Sequence, residues 1–160
     1  MDSMEVVAGI RRIIRSINLE SKRIDKEFGL SLPQYLCMTF IEQQDDKRAQ
    51  TKDLKNFLNL NASTISGIVS RLQKKNLVKK IPHASDKRGS YIVLTTKGNK
   101  LIHNAPKTVQ ERLSEKLDNL PPDKVREVIN VVNMLADYMQ IDEMDAASVL
   151  TLDVPISEPE

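Results

Sequence analysis

The stretch NLNASTISGIVSRLQKKN, residues 59–76, decides the fold of this 160-residue chain. Its apolar residues recur at three- and four-residue steps, namely Ile65, Ile68, Val69 and Leu72. This period predicts an amphipathic helix over 62–75. Asn61 precedes the helix and can cap it, because its side chain can accept a hydrogen bond from the first turn. Asn59 and Asn76 flank the helix, and asparagine tolerates the left-handed conformation of a tight turn.

The opposite face of this helix is small and polar. It carries Ser63, Thr64, Ser66, Gly67, Ser70, Arg71 and Lys74. Short side chains allow a helix backbone to approach base edges in the major groove of DNA. The helix N-terminus presents N–H groups to phosphates, and Arg71 and Lys74 can reach phosphate or guanine. The face therefore predicts a recognition helix.

Helical patterns surround this segment on both sides. The predicted helices cover residues 4–28, 31–46, 52–58, 97–117 and 123–140. Ser31, Thr51 and Thr96 are predicted N-caps, and Ser31 forms a capping box with Gln34. The short helix 52–58 should bury Leu54, Phe57 and Leu58. Pro106 predicts a kink or break in the helix 97–117, since proline lacks an N–H and its ring clashes with the preceding turn.

Residues 77–96 predict a β-hairpin, called here the wing. Leu77 to Ile81 and Tyr91 to Thr95 are rich in β-branched and aromatic residues, and the loop between them is polar and basic. At its tip, Lys87 and Arg88 suit the minor groove, and Asp86 can brace Arg88 or the loop backbone. A helix, a tight turn, a second helix and a basic hairpin together indicate a winged helix-turn-helix, within a mainly α chain that has a small β-wing.

Charge is concentrated in the middle of the chain. Residues 47–100 carry thirteen basic and two acidic side chains, net +11, whereas residues 1–46 carry net −2 and residues 101–160 net −7. A strongly positive middle segment is typical of a surface that faces a polyanion. The less specific interpretation is a solvated, lysine-rich surface.

The composition argues against an enzyme, a cofactor and a metal site. The five glycines are too far apart for a phosphate-cradling loop. His83 and His103 lack metal-ligand spacing, and the lone cysteine, Cys37, excludes a disulfide within the chain and a cysteine-based zinc cluster. No stretch approaches the length of a membrane span, so we expect no membrane partner, and the cytoplasm is the expected compartment.

Three motifs resemble those of the multiple-antibiotic-resistance regulator (MarR) family of bacterial transcription factors. They are Leu77-Val78-Lys79-Lys80, Asp86-Lys87-Arg88 and Val93-Leu94-Thr95-Thr96-Lys97-Gly98, with Ser63-Thr64-Ile65-Ser66 and Arg71-Leu72 matching its recognition helix. The resemblance covers about residues 5–140. It departs at Asn59 and Asn76, where glycine is usual, at Ser70, where aspartate is common, and at Lys80, which replaces a frequent arginine.

The resemblance implies the architecture and the function. A domain over 1–140 would comprise a DNA-binding lobe (30–96) and a dimerisation lobe of the N- and C-terminal helices (4–28 and 97–140), followed by an acidic tail (141–160). The chain would be a homodimeric repressor that binds a palindromic operator in double-stranded DNA and is released by a small-molecule or stress signal. The expected DNA-binding residues are Asn61, Ser63, Thr64, Ser66, Ser70, Arg71, Lys74, Asp86, Lys87 and Arg88.

Several alternatives stay open at this point. A winged-helix protein-interaction module without DNA binding is the alternative function, and it should carry exposed apolar anchors on the recognition face. Cys37 is either a buried thiol or a redox sensor, and His83 is either a DNA contact or a solvated loop residue. An effector cleft between the lobes could be lined by Tyr35, Met38 and Phe40, with Arg11 or Arg15, but ordinary packing is the expected role of each residue. The acidic tail either docks on the positive lobe or solubilises the chain.

Overall fold

The computed structural model describes residues 2–85 and 89–140. In chain order, the elements are α1 (Asp2–Phe28), α2 (Leu32–Gln43), β1 (Arg48–Ala49), α3 (Thr51–Leu58), α4 (Ala62–Lys74), β2 (Val78–Pro82), β3 (Ser90–Leu94), α5 (Thr96–His103), α6 (Val109–Asp118) and α7 (Pro122–Tyr138). The strands form an antiparallel sheet in the order β1-β3-β2. The fold is a winged helix-turn-helix, as the sequence predicts.

Helix α2 is the centre of the core. All residues from Leu32 to Thr39 are buried, because α2 is surrounded by α1, α3, α4, α5 and the sheet. Its sequence is apolar on every side, which is typical of a buried helix. The predicted capping box is confirmed: Ser31 N donates to Gln34 Oε1 (3.2 Å), and Gln34 N donates to Ser31 Oγ (3.4 Å).

Helices α3 and α4 form the tight helix-turn-helix. Asn59 has φ 51°, the predicted left-handed conformation, and Asn76 after α4 has φ 58°. All four apolar residues of the α4 stripe are buried, as predicted. The prediction for Phe57 is wrong, since 42% of it is exposed; its ring instead packs on Phe40, with 4.5 Å between centroids.

Two predicted caps are wrong by one residue. Helix α3 is capped at Gln50 rather than Thr51, because Gln50 N donates to Asp53 Oδ2 (2.8 Å). Helix α5 is capped at Thr95 rather than Thr96, because Thr95 N still donates to Leu77 O and so continues the extended chain. The Thr95 hydroxyl then accepts from Gly98 N (3.0 Å) and donates to Asn76 O (2.8 Å).

Three boundaries also differ from the predictions. Helix α2 ends at Gln43 rather than near Asp46, because Gln44 is extended and its side chain caps Phe40 O. The chain then turns through Lys47 (φ 54°) into β1, a strand that the sequence pattern did not reveal. Pro106 lies in a complete break between α5 and α6, so the helix predicted over 97–117 is two helices.

The apolar stripe of α1 is mostly exposed in this single chain. Ile24 is buried, while Val6, Val7, Ile13 and Ile14 are 44–60% exposed. Helix α7 shows the same pattern. We call these exposed apolar residues of α1 and α7 together the apolar terminal face; they are Val6, Val7, Ile13, Ile14, Val128, Ile129, Val131 and Val132. Among the described residues, every helix is too short or too polar to span a bilayer.

Candidate nucleic-acid interface

The N-terminus of α4 is fixed by Asn61. Its Oδ1 accepts hydrogen bonds from Thr64 N (2.8 Å) and from the Ser63 hydroxyl (2.7 Å). Asn61 Oδ1 is therefore occupied by these two hydrogen bonds, and the side-chain amide nitrogen of Asn61 is the group left to contact a ligand. The cap also orients the Ser63 hydroxyl along the first turn.

The outward face of α4 is short-chained and polar, as the sequence predicts. Ser63, Ser66 and Ser70 are exposed, Thr64 is half-buried, and Arg71 and Lys74 are exposed one to two turns farther along. A Cβ added at Gly67 would meet no atom within 4 Å, so open space also lies beside the middle of the helix. The structure thus brings Asn61, Ser63, Thr64, Ser66, Ser70, Arg71 and Lys74 together on one helix.

Basic side chains continue from α4 onto the neighbouring turns. Arg71, Lys74 and Lys75 line one side of an open groove of about 310 Å³, whose other side is formed by Ser31 and Gln34 at the start of α2. Lys75 Nζ donates to Gly29 O, and Lys97 Nζ donates to Lys75 O (3.0 Å). These contacts place cationic side chains beside the C-terminal half of α4.

Three predicted site residues at the wing tip, Asp86, Lys87 and Arg88, lie outside the described residues. The base of the wing is described on both sides of them. Strand β2 pairs with β3 from Val78↔Leu94 to Pro82↔Ser90, and His83 N donates to Gly89 O (3.1 Å). The predicted hairpin is therefore present up to Ser85 and from Gly89. The predicted acidic tail, 141–160, also lies outside the described residues.

A ring stack at the base of the wing was not predicted. His83 stacks on Tyr91 with 4.0 Å between centroids, and the Arg48 guanidinium lies 4.1 Å from the Tyr91 ring. The amide of Gln50 lies 2.9 Å from His83 Nε2, so the wing is joined to the start of α3. His83 is thus half-buried in a stack. The pairing of β1 with β3 creates this contact between residues far apart in sequence, and no local motif signals it.

Arg48 also forms an exposed ion pair with Asp46. Its Nε lies 2.5 Å from Asp46 Oδ2, and this hydrogen bond lowers the pKa of the Asp46 carboxyl and raises that of the guanidinium. Both groups stay charged near neutral pH. The ion pair holds Arg48 over Tyr91.

For the residues of the possible effector cleft, the expected ordinary packing is confirmed for two of them. Tyr35 and Met38 are fully buried in the core and cannot line an open cleft, while Phe40 is half-buried against Phe57. Arg11 and Arg15 are exposed on α1. Cys37 is buried, and burial raises the pKa of its thiol to about 12, which favours a buried thiol over a sensor. Within 2–85 and 89–140, no three metal-ligating side chains cluster.

Comparison with known proteins shows which regulators part of this chain is similar to. Residues 30–90 match the model of the MarR family. The chain is similar to SarZ, an HTH-type transcriptional regulator of Staphylococcus epidermidis, at 33% identity over 73 residues; the match covers 46% of this chain and about half (48%) of SarZ. It is also similar to YsmB, an uncharacterized HTH-type transcriptional regulator of Bacillus subtilis, at 21% identity over 76% of this chain and 82% of YsmB.

A solved structure extends the similarity over most of the chain. Sco3205, a MarR family transcriptional regulator from Streptomyces coelicolor in complex with DNA, superposes with a TM-score of 0.60 at 22% identity. The match covers 91% of this chain and 92% of Sco3205. The likeness is one of fold, and it includes the helices that flank residues 30–90.

Proposed function

Because residues 30–90 match the model of the MarR family, whose members are transcriptional regulators, we propose that this protein is a sequence-specific regulator that binds double-stranded DNA and is not an enzyme. The single observation that carries the proposal is the outward face of α4. Its exposed residues are short and polar or cationic, while every large apolar residue of α4 is turned into the core. A face of this kind can enter the major groove closely.

Each residue of the face has a proposed contact. Ser63, Thr64 and Ser66 reach base edges, together with the Asn61 amide. Ser70, Arg71 and Lys74 contact phosphates or a guanine edge as α4 leaves the groove. At the wing tip, Lys87 and Arg88 approach the minor groove and Asp86 braces Arg88, as the family pattern implies. Sco3205, which has a similar fold, is a regulator in complex with DNA, and this supports DNA binding as the proposed role.

We further propose a homodimer built on the apolar terminal face. Its members are at least 39% exposed in the single chain, and so many exposed large apolar residues on two helices favour an interface that covers them. A second copy of this chain would cover them with the same residues under two-fold symmetry. Two α4 helices would then read half-sites about 34 Å apart on one side of a palindromic duplex.

The dimer is tested by charge insertion in this face. Ile13→Glu combined with Val132→Glu should convert the dimer to a monomer in sedimentation equilibrium, because each glutamate would be buried without a partner. Leu113→Glu, on exposed α6, is a comparison variant that probes how far the interface extends. A wild-type protein that sediments as a monomer at micromolar concentration would contradict the dimer.

DNA binding is tested by selecting duplexes from a random pool with the wild-type protein. Affinity for the selected duplex should fall steeply with salt, because several phosphates are neutralised. Lys74→Ala should weaken binding and lower the salt slope by about 1. Lys116→Ala removes the same charge outside residues 47–100 and is the matched control. Failure to select any duplex, or binding that is indifferent to salt, would refute the proposal.

The alternative function is a winged-helix protein-interaction module without DNA binding. One observation favours it, since Phe57 on α3 is an exposed aromatic residue next to Phe40. Phe57→Ser separates the two functions. It should leave the affinity for a selected duplex unchanged if the protein is a DNA-binding regulator.

Two further points are the direction in which the protein controls transcription and the effector. We propose repression, because a dimer that occupies two successive grooves near a promoter excludes polymerase. A reporter driven by the selected duplex should become more active when the protein's gene is deleted. A small-molecule signal stays a prediction, and its site must lie elsewhere than Tyr35 and Met38, which are buried.

A further inference from the structure

The break between α5 and α6 is held by an unusual set of polar contacts. Tyr35, on α2, donates its hydroxyl to Pro106 O (3.0 Å), inside the break. Glu20, on α1, accepts from Val109 N (2.8 Å) at the first residue of α6. Gln43, at the end of α2, donates to Glu111 Oε1 (2.5 Å) in the first turn of α6. We call these three contacts the interlobe clasp.

The clasp is built around the N-terminus of α6. Thr108 caps the helix: its hydroxyl accepts from Glu111 N (3.1 Å), and Thr108 N donates to Glu111 Oε2 (2.6 Å). Glu20 therefore adds a second carboxylate to a helix start that already has Glu111. Both negative charges face the positive end of the α6 dipole, which favours them.

Three side chains at the interlobe clasp are buried rather than exposed to solvent. Tyr35 and Thr108 are fully buried, and Glu20 is only 6% exposed. Burial is the main cause that raises the pKa of Tyr35 to about 12, so its hydroxyl keeps its proton and remains a donor. A polar group buried here without its partner would cost more than the net value of an ordinary hydrogen bond.

The interlobe clasp lies where α6 meets the part of the chain that carries α4. Helices α2 and α5 pack together in the part that carries α4. Helix α1 packs on both α2 and α6, with Ile24 buried in the core. The chain between α5 and α6 contains Pro106 and has no helical hydrogen bonds across it. The orientation of α6 against the part that carries α4 therefore depends on the contacts of Tyr35, Glu20 and Gln43, together with the packing of α1 on α2.

We propose that Tyr35 and Glu20 are positioning residues that set the separation of the two α4 helices in the dimer. This inference rests on the proposed function. Neither side chain contacts DNA in the proposal. Tyr35 fixes the break before α6 to α2, and Glu20 fixes the start of α6 to α1, which packs on α2 and carries part of the apolar terminal face. A dimer without the clasp binds each half-site normally but no longer holds two half-sites at one defined spacing.

Tyr35→Phe is the most selective test, because it removes only the hydroxyl. The ring, which packs 5.2 Å from the Phe28 centroid, is kept. Thr39→Val is the matched control. It removes a buried hydroxyl on the same helix, one that donates to Leu36 O (3.1 Å) and crosses no lobe boundary. Both variants are compared by fluorescence anisotropy on duplexes selected by the wild-type protein.

The readout is the dependence of affinity on half-site spacing. Tyr35→Phe should bind the two-half-site duplex about fivefold more weakly, because binding must then order the loosened dimer at one spacing. The affinity of Tyr35→Phe for a single half-site should stay at the wild-type value. A 2-bp insertion between the half-sites should lower the affinity of this variant less than it lowers the affinity of the wild type. Thr39→Val should keep the wild-type spacing preference. An unchanged preference in Tyr35→Phe, or an equal loss on the single half-site, would overturn the inference.

A measurement without DNA separates this inference from the proposed function. Spin labels at Ser66→Cys in both copies report the distance between the two α4 helices. Tyr35→Phe and Glu20→Ala should broaden that distance distribution, and Thr39→Val should not. If the wild type selects no duplex, the proposed function fails, while the distance distributions still decide the role of the clasp. Equal widths in all variants would refute it.

Discussion

Replacing Gly98 by alanine adds one methyl group at the first turn of α5. A Cβ at this position would lie 2.1 Å from Leu77 O and 3.3 Å from Met38 Cε. The carbonyl cannot easily retreat, because Leu77 O accepts from Thr95 N (3.0 Å) and from the Thr95 hydroxyl (3.3 Å). The glycine of the Thr95–Gly98 motif is therefore required by close approach of α5 to the backbone that precedes β2.

The expected change in the free energy of unfolding of Gly98→Ala follows from two opposing effects. Overpacking in a closely packed site costs about 1–3 kcal/mol, and a backbone neighbour favours the upper end of that range. Alanine is a better helix former than glycine by about 1 kcal/mol. We therefore expect Gly98→Ala to lower the free energy of unfolding by about 2 kcal/mol. For a chain of this size, the melting temperature should fall by about 4–8 °C.

Thermal and urea denaturation, followed by circular dichroism at 222 nm, measure this loss. Gly67→Ala is the matched control, because an added Cβ in the middle of α4 meets no atom within 4 Å. This control should be as stable as the wild type or up to about 1 kcal/mol more stable. A Gly98→Ala variant with wild-type stability would refute the close-approach argument.

Three further predictions concern stability and reactivity. Asn76→Ala should lose about 1–2 kcal/mol in urea denaturation, because alanine is strained at φ 58°, whereas Asn76→Gly should not. Cys37 should react with iodoacetamide at pH 8 only when urea unfolds the chain, since its thiol is buried; rapid labelling of the folded protein would contradict this. Burial raises the pKa of Cys37 from 9.0 and of Tyr35 from 10.0, each to about 12, so the folded state holds these protons more tightly. The unfolded chain releases them first, and stability should therefore decline between about pH 9 and 12, less so in Cys37→Ala.

Local signals in the sequence predict the parts of the fold that local physics controls. The period of Ile65, Ile68, Val69 and Leu72 identified α4 and its buried side, and Asn59 and Asn76 marked its left-handed turns. The capping box of Ser31 and the break at Pro106 were likewise predicted. Each of these features depends on residues no more than a few positions apart. The caps of α3 and α5 shifted by one residue because neighbouring polar residues competed for the same role.

Features that join distant segments were not predicted. Strand β1 is two residues long and exists because β3 offers it an edge. The stack of Arg48, Tyr91 and His83 and the contacts of Tyr35 with Pro106 depend on that assembled geometry. Tyr35 illustrates the difficulty: its place on an apolar helix is compatible with a cleft or with the core, and only its neighbours in space decide. The DNA-contacting roles on α4 remain predictions.

The apolar terminal face has a consequence for how the protein is made. Residues of α7 leave the ribosome after every residue of the proposed DNA-contacting helix and wing. In the proposed dimer, a nascent chain can fold its helix-turn-helix early but cannot pair until α7 has emerged. Unfinished chains would then hold at most one half-site, so control of transcription would begin only when synthesis has passed this last helix.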